Sequence, residues 1–211
     1  MSEDLTAAWA ILAARAEQDV ARLTDAYSAG RVSRATFIGT AAARILIANQ
    51  AAISYSDVAV AAWRMLTTGL PTGALGLLPP PDEAERLIRA MSTVAVHGQA
   101  IEQMQMRAAR VARSEPFEAG RRALQDALQQ RDVKQWRRVV QADACEICSA
   151  LIGEIHEIET PLRDHQGCRC VLAPVVPITW PERQRAAQHQ LRRTWDVPGG
   201  QIRLSSGVRI R

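Results

Sequence analysis

Residues 33–69 read SRATFIGTAAARILIANQAAISYSDVAVAAWRMLTTG, and the period of their apolar side chains sets the architecture. Phe37, Ala41, Ile45, Ala48, Ala52, Tyr55, Ala59, Ala62 and Leu66 recur at steps of three and four residues, which is one stripe on an α-helix. Ser33 offers the oxygen that caps a helix start, and Gly69 suits the left-handed turn that ends one. Such a helix, about 35 residues long, spans about 50 Å. Many stripe positions are alanine, so a partner helix can approach closely. That partner is either the preceding helix of an antiparallel hairpin or another subunit.

The preceding stretch carries the same signal. Leu5, Trp9, Leu12, Ala16, Val20, Leu23 and Tyr27 form one stripe, closed by Gly30. Downstream, residues 69–81 (GLPTGALGLLPPP) cannot be helical throughout, because Pro71 and Pro79–Pro81 remove donors and fix φ. Leu70, Leu75, Leu77 and Leu78 make this segment too apolar for a tether, so it either packs on the helices or forms a contact loop. Asp82 is placed to cap a third helix with Leu87, Met91, Val94, Ile101, Met104, Ala108 and Val111 on one face. Ser114-Glu115-Pro116 is expected to restart a fourth helix that runs to about Arg131, since proline is tolerated in a first turn.

Composition agrees with helices. Apolar residues are 47% and charged residues 23% of the 211, values of an ordinary folded chain rather than a disordered or fibrous one. Aromatic residues are only 4%, too few for a large sandwich or barrel core. The chain opens Met1-Ser2-Glu3-Asp4, acidic where a secretory signal is basic. Arg44 and Arg64 interrupt the most apolar runs, and no membrane span or membrane partner is expected. Synthesis in a cytoplasm and a soluble product are the expectations.

The character of the chain changes after Asp132, giving three parts: a helical arm (1–132), a cysteine-rich module (133–178) and a basic tail (179–211). The arm balances 14 basic against 14 acidic residues, so the net charge of +4 belongs wholly to residues 133–211. Trp136 to Val140 reads as a strand, a turn or hairpin carries His156, and Val171 to Val176 reads as a second strand. All four cysteines lie between Cys145 and Cys170.

Cys145-x-x-Cys148 places two thiolates on one side of a tight turn. Cys168-x-Cys170 on a strand would present both sulfurs to one face. A four-thiolate site from Cys145, Cys148, Cys168 and Cys170 is therefore reasonable, and so is three thiolates plus His165. A structural zinc would staple a module that has few large apolar residues of its own. The alternatives are disulfides, with three possible pairings, or four free thiols. A redox Cys-x-x-Cys enzyme is disfavoured, because no βαβ pattern surrounds the motif.

The run Trp136…Asp143-x-Cys145-x-x-Cys148-x-x-Leu151-x-Gly153, followed by Pro161…His165-x-x-Cys168-Arg169-Cys170, resembles the C-terminal motif of phage Mu F-like minor head proteins. The resemblance covers about Val133 to Val176. Gln166-Gly167 stands where that family has Pro-Asn, while the spacing of His165, Cys168 and Cys170 is intact. The resemblance implies a structural, non-enzymatic head morphogenesis or minor capsid protein of a tailed phage. It also implies residence inside the capsid near the portal, with portal or major capsid protein as partner.

Enzymatic readings compete with it. A zinc-supported nuclease or DNA-binding protein would reuse the cysteine frame, with His156 and Asp164 the nearby candidates for a catalytic centre. A thiol nucleophile at Cys168 with His165 as base is a weaker reading than a shared metal. Glu157-Ile158-Glu159 matches the acidic pair of some ADP-ribosyltransferases, but two solvated glutamates on a strand explain it better. His97 and His189 read as ordinary helical histidines. In the tail, a short polar helix (Pro181 to Trp195) and a terminal hairpin are expected. There Arg183, Arg185, Arg192, Arg193, Arg203, Arg209 and Arg211 can contact packaged DNA without reading sequence or dock an acidic protein surface. The expected fold is mainly α: a long helical hairpin or bundle arm, a small metal-stapled α+β module and a C-terminal β-hairpin.

Overall fold

A computed structural model of the chain describes residues 2–96, 100–141, 144–162, 165 and 168–175. Four helices come first: α1 (Ser2–Ser28), α2 (Arg34–Thr68), α3 (Glu83–Val94) and α4 (Ile101–Gln129). Then follow strand β1 (Gln135–Val139), the short helix α5 (Glu146–Ala150), and strands β2 (Ile155–Glu157) and β3 (Val171–Val175). The protein is mainly helical, with a small antiparallel sheet ordered β2-β1-β3 toward the C-terminal end. The expected tail helix and hairpin, His97, Asp164, His189 and the seven tail arginines lie outside the described residues.

The ends of α2 form as their residues dictate. Ser33 Oγ accepts the Thr36 N–H at 3.1 Å, and Gly69 adopts φ 72° with its N–H donating to the Met65 carbonyl. The buried face of the helix differs from the expected stripe. From Phe37 to Ala52 the expectation holds, but beyond it the core takes Ile53, Ser56, Asp57, Val60 and Ala61, and leaves Tyr55 and Leu66 exposed. The cause is the polar residues. Asn49, Ser56 and Asp57 are buried because each has partners inside, and they hold the helix at the rotation that keeps those partners.

Asn49 Nδ2 donates to Glu83 Oε1 at 2.8 Å and approaches Glu115 Oε2 at 3.4 Å. Arg86 spans the same two carboxylates, joining α3 to α4. Ser56 Oγ lies 2.7 Å from the Ala52 carbonyl and 2.9 Å from the Gly120 carbonyl of α4. The Asp57 carboxylate accepts the N–H groups of Leu75, Gly76 and Leu77 at 2.9, 2.7 and 3.2 Å. The loop after α2 is therefore nailed down rather than loose. Leu77 packs on the core, whereas Leu70, Leu75 and Leu78 stay exposed. Of the two roles expected of it, the loop takes the first, packing on the helices.

The break between the third and fourth helices falls elsewhere than expected. α3 ends at Val94 and α4 begins at Ile101, and Pro116 sits inside α4. A proline within a helix removes one backbone hydrogen bond and crowds the preceding turn. Here its neighbours offset that, since Glu115 is held by Arg86 and Phe117 packs edge-on to Trp9 with ring centroids 6.1 Å apart. Asp82 also makes no side-chain cap.

α2 is long and apolar enough to cross a membrane by length and composition, which was not expected of any segment. Half of the qualifying window is nonetheless buried in the protein, and Asn49, Ser56 and Asp57 are part of its buried face, as befits a core helix.

The sheet closes one end of the bundle. Leu5, Trp9, Phe117, Leu124 and Leu128 share a core cluster with Val133, Trp136, Ile158, Val171 and Leu172, so apolar packing runs across the 132/133 boundary. β1 pairs with β3 at Arg138↔Leu172 and with β2 at Trp136↔His156. Trp136 and Arg138 are both buried while Arg137 is exposed, as alternation along a strand requires.

Candidate metal centre

The thiols come from two places that the sheet brings together. Cys145 stands at the start of α5 and Cys148 in its first turn, three residues apart and so on one helical face. Cys168 and Cys170 lie just ahead of β3 rather than on it, a small correction to the strand expected there. Their side chains share a direction all the same: both are buried and pack with Cys148. The Cys168 N–H donates to the His165 carbonyl at 3.0 Å, and the imidazole lies beside the thiols.

His165 Nε2 lies 3.0 Å from Cys145 Sγ and 3.1 Å from Cys148 Sγ. Cys148 Sγ lies 3.6 Å from Cys168 Sγ. Two triads result, Cys145–Cys148–His165 and Cys148–Cys168–Cys170, each with donor atoms mutually within 4.8 Å. A small tetrahedral ion with bonds of about 2.3 Å to sulfur and about 2.0 Å to nitrogen holds its donors roughly 3.5–3.8 Å apart. The cluster is thus close to ligand spacing and can hold a metal ion. Cys148 belongs to both triads, so it serves either expected ligand set. All four cysteines are free thiols, and 3.6 Å is far beyond a disulfide bond of about 2.05 Å. The residues line a cleft of about 230 Å³ together with Gln141, Ala144 and Arg169.

Electrostatics around the cluster split the four thiols, lowering two and raising two. N–H groups at the start of α5, that of Cys148 foremost, hold the Cys145 thiol below the usual cysteine range. The Cys168 thiol is brought down to about 5, chiefly by the Cys170 thiol beside it and with help from the Arg121 charge, against the effect of burial. Cys170 is pushed up in return by Cys168 and by burial, and burial raises Cys148. The pair therefore shares a proton, which an ion would displace.

Two arginines that the sequence reading passed over stand against the sulfurs. Arg121 of α4 is 6% exposed and donates from Nη1 to the Cys168 carbonyl at 2.9 Å. Arg138 of β1 is 4% exposed, and its guanidinium lies beside Cys170 and opposes the rise in that thiol's pKa. A buried guanidinium needs a compensating negative charge, and a thiolate cluster supplies one. The signal for Arg138 was present in the period-two alternation of Trp136-Arg137-Arg138. Arg121 carried none.

The other candidates stand apart. His156 lies against Trp136 with ring centroids 4.4 Å apart and planes tilted by 30°, and its Nε2 lies 3.4 Å from Glu154. It joins no group of metal-ligating atoms among the described residues. Glu157 accepts from Gln135 Nε2 at 2.8 Å across the β1–β2 pair. No protein-family model, curated protein or solved structure matches the chain.

Proposed function

We propose that this chain is a structural minor capsid or head morphogenesis protein of a tailed phage, held inside the head near the portal. There it assists assembly or genome packaging and delivery. The observation that carries the reading is the convergence of Cys145, Cys148, His165, Cys168 and Cys170 in one cluster, the residues on which the resemblance to Mu F-like proteins rests. Zinc fits the donors, because soft thiolates with an imidazole at tetrahedral spacing are its usual structural ligands. In this role zinc joins α5 to the loop before β3 and performs no chemistry. The bundle supplies a rigid body for docking to portal or major capsid protein. The tail arginines from Arg183 to Arg211 supply sequence-independent contact with packaged DNA.

Mass spectrometry of purified particles should find the chain in the virion, and it should co-purify with portal protein. Divalent-dependent DNA cleavage by the purified chain, lost in His165→Ala or His156→Ala, would overturn the reading in favour of a nuclease.

A further inference from the structure

A solvent-facing helix stripe is normally rich in charge. That of α2 is not: among its exposed positions from Thr36 to Leu66, Arg44 is the single charged residue. The stripe instead presents Ile47, Tyr55, Val58, Met65 and Leu66, each between 45 and 73% exposed. Alanines 51 and 62 lie half-buried between them. These side chains cannot turn inward. Asn49, Ser56 and Asp57 hold the opposite side of the same turns through buried hydrogen bonds, and rotating the helix would break them all.

The order of residues along the middle of this stripe says what covers it. Ile47, Ala51, Tyr55, Val58, Ala62 and Leu66 follow one another at steps of 4, 4, 3, 4 and 4 residues. The steps read the same in both directions, and so do the sizes: large, small, large, large, small, large. A two-fold axis perpendicular to the helix, passing between Ser56 and Asp57, maps these six positions onto one another; Met65, beside Leu66, has no such mate, since its counterpart Ala48 is buried. Such self-complementarity is the requirement of an isologous contact.

We infer that α2 pairs antiparallel with α2 of a second copy of this chain, centred on Tyr55 against Val58 of the partner subunit. Alanine then meets alanine at positions 51 and 62, which lets the two helices approach closely. The stripe from Ile47 to Leu66 is about 28 Å long, a little over five turns. The one charge also finds its place. The same axis carries Arg44 to the level of the partner subunit's Gly69, where the last carbonyls of α2 present the negative end of the helix dipole. A parallel pair would instead set Arg44 against its own copy. This inference is independent of the proposed role in a phage head.

Light scattering and sedimentation equilibrium on the full chain test it. The expected mass is close to twice 23.1 kDa, falling to that of one chain in Tyr55→Lys and in Val58→Glu. Ile11→Glu, an equally exposed position on α1, should leave the dimer intact, and circular dichroism should show all three variants folded. Mixing Tyr55→Lys with Val58→Glu should restore a dimer, because an antiparallel pair sets the new lysine opposite the new glutamate. A wild-type chain that stays monomeric, or one that is monomeric and binds lipid vesicles through this face, overturns the inference. So does a dimer that survives both substitutions, or a mixture that fails to re-associate.

Discussion

The helical bundle and the cysteine module meet the same shortage of large apolar side chains in opposite ways. The bundle spreads its stability over many small contacts: alanines on α1, α2 and α4 fill much of one main cluster and a smaller part of the other. A few large residues such as Trp9, Phe37 and Leu124 fill the wider gaps. The module concentrates its stability. Its own cluster consists of Cys148, Cys168 and Cys170, with Val140, Ala144 and Leu162 against them. A region stabilised by many contacts should lose a bounded amount for each one removed. A region built on a few donor atoms should fail as a unit.

The largest effect is therefore expected in the module. Structural zinc sites contribute on the order of 10 kcal/mol to folding. Chelation or Cys148→Ser, which removes the sulfur common to both triads, should abolish stoichiometric zinc. Hydrogen exchange should then rise across β1, α5 and β3. Helical circular dichroism should change little, because α1, α2 and α4 contain no donor. Collapse of the helical signal as well would erase the distinction between the two regions.

Next comes the seat of Trp9. A side-chain carbon added at Gly120 would come within 2.7 Å of Trp9 Cζ2. Trp9→Ala should lower stability by about 3–5 kcal/mol, and Gly120→Ala by about 1–3 kcal/mol through overpacking. Both are read as shifts in a urea transition. Because Trp9 and Trp136 share a cluster, a shift confined to the helices would show that the sheet is held by the metal alone.

The network of Asn49, Glu83, Arg86 and Glu115 should be third. Burial raises the Glu83 carboxyl, but hydrogen bonds from Arg86 and Asn49 and the charges of Arg86 and Arg122 outweigh it and hold the pKa below its ordinary value. A carboxylate lowered by folding contributes stability above its unfolded pKa of about 4.3 and loses it as pH falls through the folded value. Thermal melts should accordingly show the bundle weakening in acid. Arg86→Met should remove that part of the pH dependence and destabilise by about 2–3 kcal/mol at neutral pH, less than the roughly 3–5 kcal/mol of breaking a fully buried pair, since the guanidinium reaches solvent. The smallest change expected is Ser33→Ala, about 1 kcal/mol for a lost helix cap.

Much of this was legible from local pattern. The first two helices, the cap at Ser33, the end at Gly69 and the strands around Trp136 and Val171 all follow from periods of 3.6 and 2. The clustering of cysteines pointed to the candidate metal centre by spacing alone. The rotation of α2 beyond Ala52 was not legible, because the reading sorted residues by polarity. Asn49, Ser56 and Asp57 are polar by identity and interior by partnership, and their partners lie on α3, on α4 and in the loop at residues 75–77. Pro116 misled in the same way: it was read as the first turn of a new helix, but α4 runs through it, with Glu115 and Phe117 on either side held by distant partners.

The sequence by itself determined the first two helices, the strands around Trp136 and Val171 and which residues can ligate a metal, since these depend on residues close along the chain. Only the tertiary structure decided which face of α2 is inside, that Arg121 and Arg138 stand against the sulfurs, and that two separate cysteine pairs meet at Cys148. Each of those depends on a partner far away in sequence. A polar or charged side chain carries no sign of whether water or such a partner will satisfy it.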